Sequence, residues 1–88
     1  MRVVSTDSFN RDIARIREKE LALKVESAIR KIELAEALNK ISGLKKLSGS
    51  KNAFRIRVGD YRIGFYIINE TIQLTILAHR KEIYKRFP

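Results

Sequence analysis

The second half of the chain alternates apolar and polar residues with a period of two, which is the pattern of β-strands with one buried face. Positions 54–58 and 61–67 form two such runs, and only Gly59 and Asp60 separate them. A two-residue loop with glycine first favours a type II′ turn, whose twist matches that of the strands it joins. The pattern therefore predicts a tight hairpin.

A third run, 71–78, follows after another two residues, Asn69 and Glu70. Asparagine tolerates the positive φ that such turns require, so the three strands are predicted to form an antiparallel meander. One face of this meander is entirely apolar and would pack against helices. The other face carries Arg55, Arg57, Arg62, Gly64, Tyr66, Gln73, Thr75, Leu77 and His79.

The first 39 positions predict one edge strand and two helices. Arg2–Ser5 is a short run rich in β-branched residues, after which Thr6 or Asp7 offers a side-chain oxygen to cap a helix. The first helix has apolar residues at helical spacing, namely Phe9, Ile13 and Ile16. The longer second helix has one apolar face, made of Leu21, Val25, Ala28, Ile29, Ile32, Ala35 and Leu38.

Between the second helix and the meander, 40–52 has no periodicity and is rich in lysine, glycine and serine, which predicts a basic loop. The charged tail 80–87 has helix-compatible spacing of Ile83, Tyr84 and Phe87. The order β-α-α-β-β-β with a short C-terminal helix predicts one α+β domain over 1–88. Two N-terminal helices would pack on one face of a four-stranded antiparallel sheet.

The charge of the chain narrows the classes of partner. Nineteen Lys and Arg against ten Asp and Glu leave a formal net charge of +9, which favours nucleic acid, an acidic protein or an anionic membrane surface. Cysteine is absent and His79 is the single histidine, so we expect no metal site and no cofactor. With neither a membrane-spanning run nor a secretion signal, a soluble, cytoplasmic protein is expected.

The predicted register brings two like charges together. Arg57 and Arg62 face each other with β-carbons about 4.5–5.5 Å apart, which destabilises a sheet unless something compensates. A phosphate does so well, because each guanidinium can donate two parallel hydrogen bonds to anionic oxygens. Gly64 would leave a gap for the backbone of a ligand, and Tyr66 beside it would stack on a base. The face is therefore either a nucleic-acid site or a merely solvated surface.

Other basic and aromatic residues have a structural interpretation beside the functional one. A solvated, charged loop explains Lys45, Lys46 and Lys51, and phosphate contact is the alternative. A lone histidine such as His79 is more often structural than catalytic. Tyr84 is explained equally well as an anchor that holds the tail against the body.

Three segments of the chain resemble the RelE/ParE superfamily of toxins from bacterial and archaeal toxin–antitoxin pairs. They are GLKKLSG at 43–49, FRIRVGDYRI at 54–63 and HRKEIY at 79–84, and the middle one is the most specific. The likeness covers the second half closely and the helical half in pattern only. It implies an mRNA interferase of the RelE type, a ribosome-dependent endoribonuclease that cuts messenger RNA in the ribosomal A site and so inhibits translation.

In such a reaction the RNA 2′-hydroxyl attacks its own phosphate, so the protein must orient the phosphate, stabilise added negative charge and handle two protons. By position, the resemblance implies that Arg62 contacts the phosphate and that Arg80 stabilises the transition state or leaving oxygen. Tyr84 would stack on a nucleotide or orient it, and Arg57 would add electrostatic stabilisation. The expected RNA-binding residues around this catalytic set are Arg55, Lys45, Lys46, Lys51, Tyr66 and Lys81.

One departure from the family concerns Arg55 and Arg57, which fall where RelE-type enzymes often have lysines. Arginine cannot lose its proton near neutral pH, so neither residue can serve as the general base. Histidine titrates near neutral pH, and His79 lies on the same predicted face. We therefore take His79 as the candidate proton acceptor.

Two other functions fit the same fold. One is a ParE-type inhibitor of DNA gyrase, which binds without catalysis, although ParE-type members generally lack the pattern of Arg80 and Tyr84. The other is a nucleic-acid-binding protein that is neither catalytic nor toxic. Either toxin activity implies an acidic antitoxin that covers the arginine face with an extended segment and an amphipathic helix. The remaining expected partners are the ribosome and messenger RNA.

Overall fold

The computed structural model describes all 88 residues and contains a five-stranded mixed sheet with two long helices on one face. The strands are β1 (Arg2–Ser5), β2 (Leu44–Lys46), β3 (Ala53–Val58), β4 (Tyr61–Ile68) and β5 (Thr71–His79). The helices are α1 (Asp7–Ala14), α2 (Lys19–Leu34) and α3 (Ile83–Arg86), with a 3₁₀ turn at Leu38–Lys40. The predicted α+β class is confirmed.

The predicted four-stranded antiparallel sheet is wrong in two respects. The strand order is β1-β5-β4-β3-β2, and β1 runs parallel to β5, whereas the other neighbours are antiparallel. In addition, β2 forms inside the segment predicted to be a loop, with Leu44 opposite Ile56. A three-residue strand is too short to show alternation, and no local pattern tells which strand β1 will join.

Both predicted helices form, and their ends differ slightly from the apolar pattern. The Thr6 hydroxyl oxygen caps α1 by accepting a hydrogen bond from the Phe9 backbone N–H at 3.2 Å. Helix α2 ends at Leu34 because Ala35 takes an extended conformation. Ala35 and Leu38 still pack against the core from beyond the helix end.

The main core lies between the two long helices and one face of the sheet. Its most deeply buried large side chains are Phe9, Ile32, Ile63, Phe65, Ile72 and Leu74. Full burial of each such side chain contributes about 1.5–3 kcal/mol. None of the helices has the length and apolar character that a membrane crossing requires.

The first hairpin, between β3 and β4, has the predicted register along its whole length. Arg57 lies opposite Arg62, and Arg55 lies opposite Gly64. In its turn only Gly59 has a positive φ, +60°, as a type II′ turn requires at its first central position.

The second hairpin, between β4 and β5, departs from the predicted register at a β-bulge. Pairing is as predicted as far as Phe65 and Leu74, but Gly64 then pairs with Ile76, so Thr75 is an extra residue. One extra residue reverses the facing of every side chain beyond it. Leu77 and His79 therefore turn toward the helices, and their predicted place on the arginine face is wrong.

The bulge creates a second, smaller apolar cluster on the arginine side of the sheet. Its buried members are Ala53, Ile76, Ala78, Ile83 and Phe87. Helix α3 docks on the sheet through Ile83 and through Phe87, the residue that directly follows it. A β-carbon on Gly64 would lie 2.7 Å from Ile76 Cγ2 and 2.7 Å from Phe87 Cδ2. The gap at Gly64 that was predicted to admit a ligand is thus filled by Phe87.

Candidate functional site

A cleft of about 270 Å³ opens on the side of the sheet opposite the long helices. Strands β2, β3 and β4 and helix α3 each contribute to its wall. The lining residues are Gly43, Leu44, Lys45, Arg55, Arg57, Arg62 and Tyr84. We call this site the arginine cleft, and it brings together five of the residues selected from the sequence.

The guanidinium of Arg62 is held in place before any ligand binds. Its Nη1 donates hydrogen bonds to the carbonyl oxygens of Gly59, at 3.0 Å, and Tyr61, at 2.8 Å. Partial burial lowers the pKa of Arg62 from its ordinary value, and the neighbouring charges of Arg57, Arg55 and Arg80 lower it further. Arginine nevertheless stays protonated near neutral pH, so the cleft keeps concentrated positive charge.

No carboxylate neutralises this charge from within the protein. The one ion pair of the structure joins Arg86 to Asp12, and neither residue lines the arginine cleft. Like charges on facing strands destabilise the sheet when nothing compensates. The cleft is therefore suited to an external anion with several oxygens, such as a phosphodiester.

Tyr84 forms the aromatic wall of the cleft and contacts Arg55. The Arg55 Cζ lies 4.6 Å from the centroid of the Tyr84 ring, and its Nη2 donates to the Tyr84 hydroxyl oxygen at 3.3 Å. Even so, Tyr84 is 72% exposed. A guanidinium and a largely open aromatic ring thus stand beside the charge cluster, which is an arrangement that can stack a nucleotide base.

Arg80 stands close enough to the cleft to lower the pKa of Arg62, although it does not line the wall. Its backbone N–H donates to the Asp60 carbonyl oxygen at 2.8 Å. This bond ties the start of the tail to the turn of the first hairpin. The structure therefore places four arginines, from positions 55, 57, 62 and 80, around one site.

His79 lies on the other side of the sheet, because of the bulge. Its ring meets Tyr61 edge-on at 5.4 Å between centroids, and its Nδ1 accepts a hydrogen bond from the Lys81 backbone N–H at 3.2 Å. The hypothesis that His79 is the proton acceptor depended on its sharing a face with the arginines. It loses that physical basis.

Of the remaining predicted RNA-binding residues, one lies in the cleft and the others lie outside it. Lys45 pairs with Arg55 and shares its face, whereas Lys46 pairs with Phe54 and so projects to the other side of β2. The Tyr66 ring packs against Phe87 at 5.1 Å between centroids, inside the second apolar cluster. Two further lysines, at positions 51 and 81, are exposed in turns outside the cleft.

Residues that were not among the predicted site residues also shape this region. The Gly43 carbonyl oxygen accepts a hydrogen bond from the Arg57 backbone N–H at 3.2 Å, and its φ of +79° is one that glycine adopts readily. Asp12 and Arg86 join α1 to α3. A signal for Asp12 was present, because a carboxylate stands next to Ile13 on the apolar face of the first predicted helix.

A larger cavity, about 460 Å³, lies on the helix side between β1, α1 and α2. Its lining is mainly apolar, and its charged members, Glu26 and Glu33, are acidic. Acidic side chains repel phosphate, so this cavity is not the anion site.

Comparison with known proteins decides the family. The chain is 33% identical over 89 residues to toxin RelE3 of Methanocaldococcus jannaschii, with all of both proteins aligned. It belongs to the RelE family of toxins. No family model matches the chain. The resemblance to the RelE branch is therefore confirmed by a curated relative, and nothing found supports a ParE-type gyrase inhibitor.

Solved structures agree with this placement of the RelE-family chain. The RelB–RelE antitoxin–toxin complex from Methanococcus jannaschii matches with a TM-score of 0.77 and 30% identity, over 97% of this chain and 99% of that one. An archaeal RelE–RelB complex from Pyrococcus horikoshii OT3 matches with a TM-score of 0.72 and 19% identity, over 90% and 93%. YafQ from E. coli strain BL21(DE3) also has a TM-score of 0.72, at 16% identity over 96% and 99%. The last two show the shared fold alone.

Proposed function

We propose that this RelE-family chain is the toxin of a toxin–antitoxin pair and cuts messenger RNA on the translating ribosome. The observation that carries the proposal is the arginine cleft, where three guanidinium groups and one ammonium group meet an exposed tyrosine with no carboxylate among them. A phosphodiester flanked by bases supplies the negative charge and the stacking surface that such a site lacks.

In the proposed reaction the RNA 2′-oxygen attacks the adjacent phosphorus. The O2′–P bond forms and the P–O5′ bond breaks, which leaves a 2′,3′-cyclic phosphate and a 5′-hydroxyl. Arg62, already oriented by two backbone carbonyls, and Arg57 opposite it would stabilise the negative charge that builds on the phosphoryl oxygens. Arg80 would stabilise the leaving oxygen.

Tyr84 and Arg55 would hold the base next to the scissile phosphate. The base would stack on the exposed part of the tyrosine ring. Arg55 would hold the ring in place through its guanidinium, which contacts the ring and its hydroxyl. Holding the nucleotide in a fixed orientation brings the 2′-oxygen into line with the bond that breaks.

Among the residues of the cleft, Lys45 and Tyr84 are the candidates for proton transfer, because an arginine guanidinium does not lose its proton near neutral pH. The Tyr84 hydroxyl is engaged by Arg55, whereas no hydrogen bond is formed by the Lys45 side chain. We therefore assign Lys45 as the general acid. Its ammonium would protonate the leaving 5′-oxygen, and solvent would take the proton of the 2′-hydroxyl.

Primer extension on a message translated in vitro tests the proposal as a whole. We expect cuts at defined codon positions with the wild-type protein, none with an Arg62→Ala, Arg80→Ala double variant, and far fewer when ribosomes are omitted. Gyrase supercoiling should be unaffected. Absence of cuts at every codon, or equal cutting by the double variant, contradicts the proposal.

The assignment of Lys45 has a sharper test. Lys45→Arg keeps the positive charge but replaces the ammonium by a much weaker acid, so cleavage should fall about 10²- to 10⁴-fold while RNA binding persists. Lys46→Arg is the matched control, since this neighbour projects to the other side of the strand, and its activity should stay unchanged. Full cleavage by Lys45→Arg contradicts the assignment.

The cleft also implies a protein partner. The chain carries a net charge of +9, and its structural relative at 30% identity is a complex of RelE with RelB. We propose an acidic antitoxin that covers the arginine cleft and blocks RNA. Co-expression with a neighbouring small open reading frame should give a complex that survives size-exclusion chromatography and suppresses cleavage, and failure to co-purify argues against this partner.

A further inference from the structure

Asp12 is the only charged side chain that is buried in this protein, with 8% of its surface exposed. It lies in α1 near Phe9, which is buried in the core, and next to Ile13, which is partly buried and packs against the core. Burying a carboxylate is costly unless hydrogen bonds and an opposite charge satisfy it. The two groups that satisfy the Asp12 carboxylate both lie outside α1.

The first partner is the free edge of β5. Pairing of β1 with β5 ends at Ser5 and Leu74, so the strand edge beyond that point lacks a neighbouring strand. There the backbone N–H of Leu77 donates to Asp12 Oδ2 at 2.9 Å. The carboxylate thus occupies the edge of the sheet, just past the bulge.

The second partner comes from the opposite side of the sheet. Arg86 of α3 donates through Nη2 to Asp12 Oδ1 at 3.3 Å. The long helices lie on one side of the sheet and α3 lies on the other, so this ion pair reaches around the sheet edge. The Arg86 side chain is 47% exposed, so the ion pair adds little to the stability of the fold. Its main effect is to fix the orientation of α3.

The orientation of α3 determines where Tyr84 stands in the arginine cleft. Ile83 of α3 and Phe87, the extended residue that directly follows it, both pack on the sheet and mark the face of α3 that docks there. Tyr84 and Arg86 are two residues apart, so they project about 160° from each other, on opposite flanks of that face. Arg86 is held by Asp12 on one flank, and Tyr84 meets Arg55 on the other. Rolling of the helix about its axis would break both contacts.

We propose that Asp12, acting through Arg86, is a positioning residue for Tyr84: the ion pair locks the roll of α3 and holds the aromatic wall of the arginine cleft in place. Its effect on RNA cleavage rests on the proposed function of Tyr84. The locking of the helix does not depend on that function and can be measured separately.

Fluorine NMR on the whole protein labelled with 3-fluorotyrosine measures the lock directly. The chain has three tyrosines, and Tyr84→Phe assigns the resonance of interest. Arg86→Gln should shift the Tyr84 resonance, with smaller shifts at Tyr61 and at Tyr66, whose ring packs against Phe87. Arg86→Lys should restore part of the wild-type Tyr84 position. Lys85→Gln removes the same charge from the same helix and should move nothing.

Single-turnover RNA cleavage provides the second readout. Arg86→Gln should slow cleavage about 10- to 100-fold, the scale of a small misplacement of a substrate-positioning group. In a Tyr84→Ala background the same change should cost less than about twofold, because the residue it positions is already absent. Asp12→Asn should reproduce both results if the variant folds, and the arginine variant carries the test if it does not.

Two outcomes overturn the positioning role: a Tyr84 resonance that Arg86→Gln leaves unmoved, or an equal loss of cleavage with and without Tyr84. If the wild-type protein cuts no RNA, the proposed function fails, and the fluorine spectra alone decide the positioning role.

Discussion

The β3–β4 hairpin keeps one register over its whole length, whereas the β4–β5 hairpin changes register beyond Phe65 and Leu74. Both have two-residue turns between strands of alternating apolar residues. The regular hairpin sets Arg57 against Arg62 and so gathers charge on one face. The bulged hairpin turns apolar side chains to that same face, where α3 docks and brings its tyrosine to the cleft.

The difference shows that the two halves of the site have different structural origins. Charge comes from strict alternation along a regular hairpin, and such alternation is a local property of the chain. The aromatic wall comes from an irregularity. If Thr75 paired in regular register, Ile76 and Ala78 would face the helices, and α3 would lose both of them from the apolar surface that it covers. Each half can be perturbed separately.

The largest effect on RNA cleavage should come from a substitution in the regular β3–β4 hairpin. Arg62→Gln should slow RNA cleavage about 10²- to 10³-fold, because it removes a preoriented donor to the developing phosphoryl charge. Arg30→Gln, on the exposed face of α2, removes the same net charge and should leave single-turnover cleavage within about twofold of wild type. Similar losses in both variants would mean that general charge, and not the cleft, governs the reaction.

A smaller effect should come from the contact between the bulged hairpin and α3. Gly64→Ala places a β-carbon 2.7 Å from Ile76 Cγ2 and from Phe87 Cδ2, so it should destabilise the protein by about 1–3 kcal/mol in urea unfolding. Adding Phe87→Leu relieves the part of the clash that involves Phe87. The double variant should therefore be more stable than the sum of the two single changes predicts. Strict additivity would show that α3 does not press on this glycine.

The smallest effect, on the free energy of unfolding, should come from glycine substitutions in the two turns and should have opposite signs in them. Glu70 has φ +61°, a conformation costly for side chains other than glycine, so Glu70→Gly should raise the free energy of unfolding by about 0.5–1 kcal/mol. Asp60 is the matching second residue of the other turn and has no positive φ, so Asp60→Gly should lower stability by a similar amount. Urea unfolding of both variants checks the opposite signs, and Glu70→Gly, which lies outside the arginine cleft, should not alter RNA cleavage.

The predictions from the sequence are right where the interacting residues are close in sequence and fail where they are farther apart. That Arg57 faces Arg62 was predictable because only four residues, two of which form the turn, separate them. The bulge was not predicted, although Ile76, Leu77 and Ala78 in succession are typical of a strand covered on both faces. His79 was misplaced as a direct consequence. The pairing of Lys45 with Arg55 was missed because a three-residue strand carries no readable period.

The amino-acid sequence by itself determined the element types, the first hairpin with its opposed arginines, the excess of positive charge and the likeness to RelE toxins, because propensity, alternation and turn chemistry act over a few residues. Only the tertiary structure decided the parallel pairing of β1, the bulge at Thr75, the docking of α3 and the link between Asp12 and Arg86. These depend on residues as much as 74 positions apart, whose free energy of contact exists only once the sheet, its edge and the helices have come together.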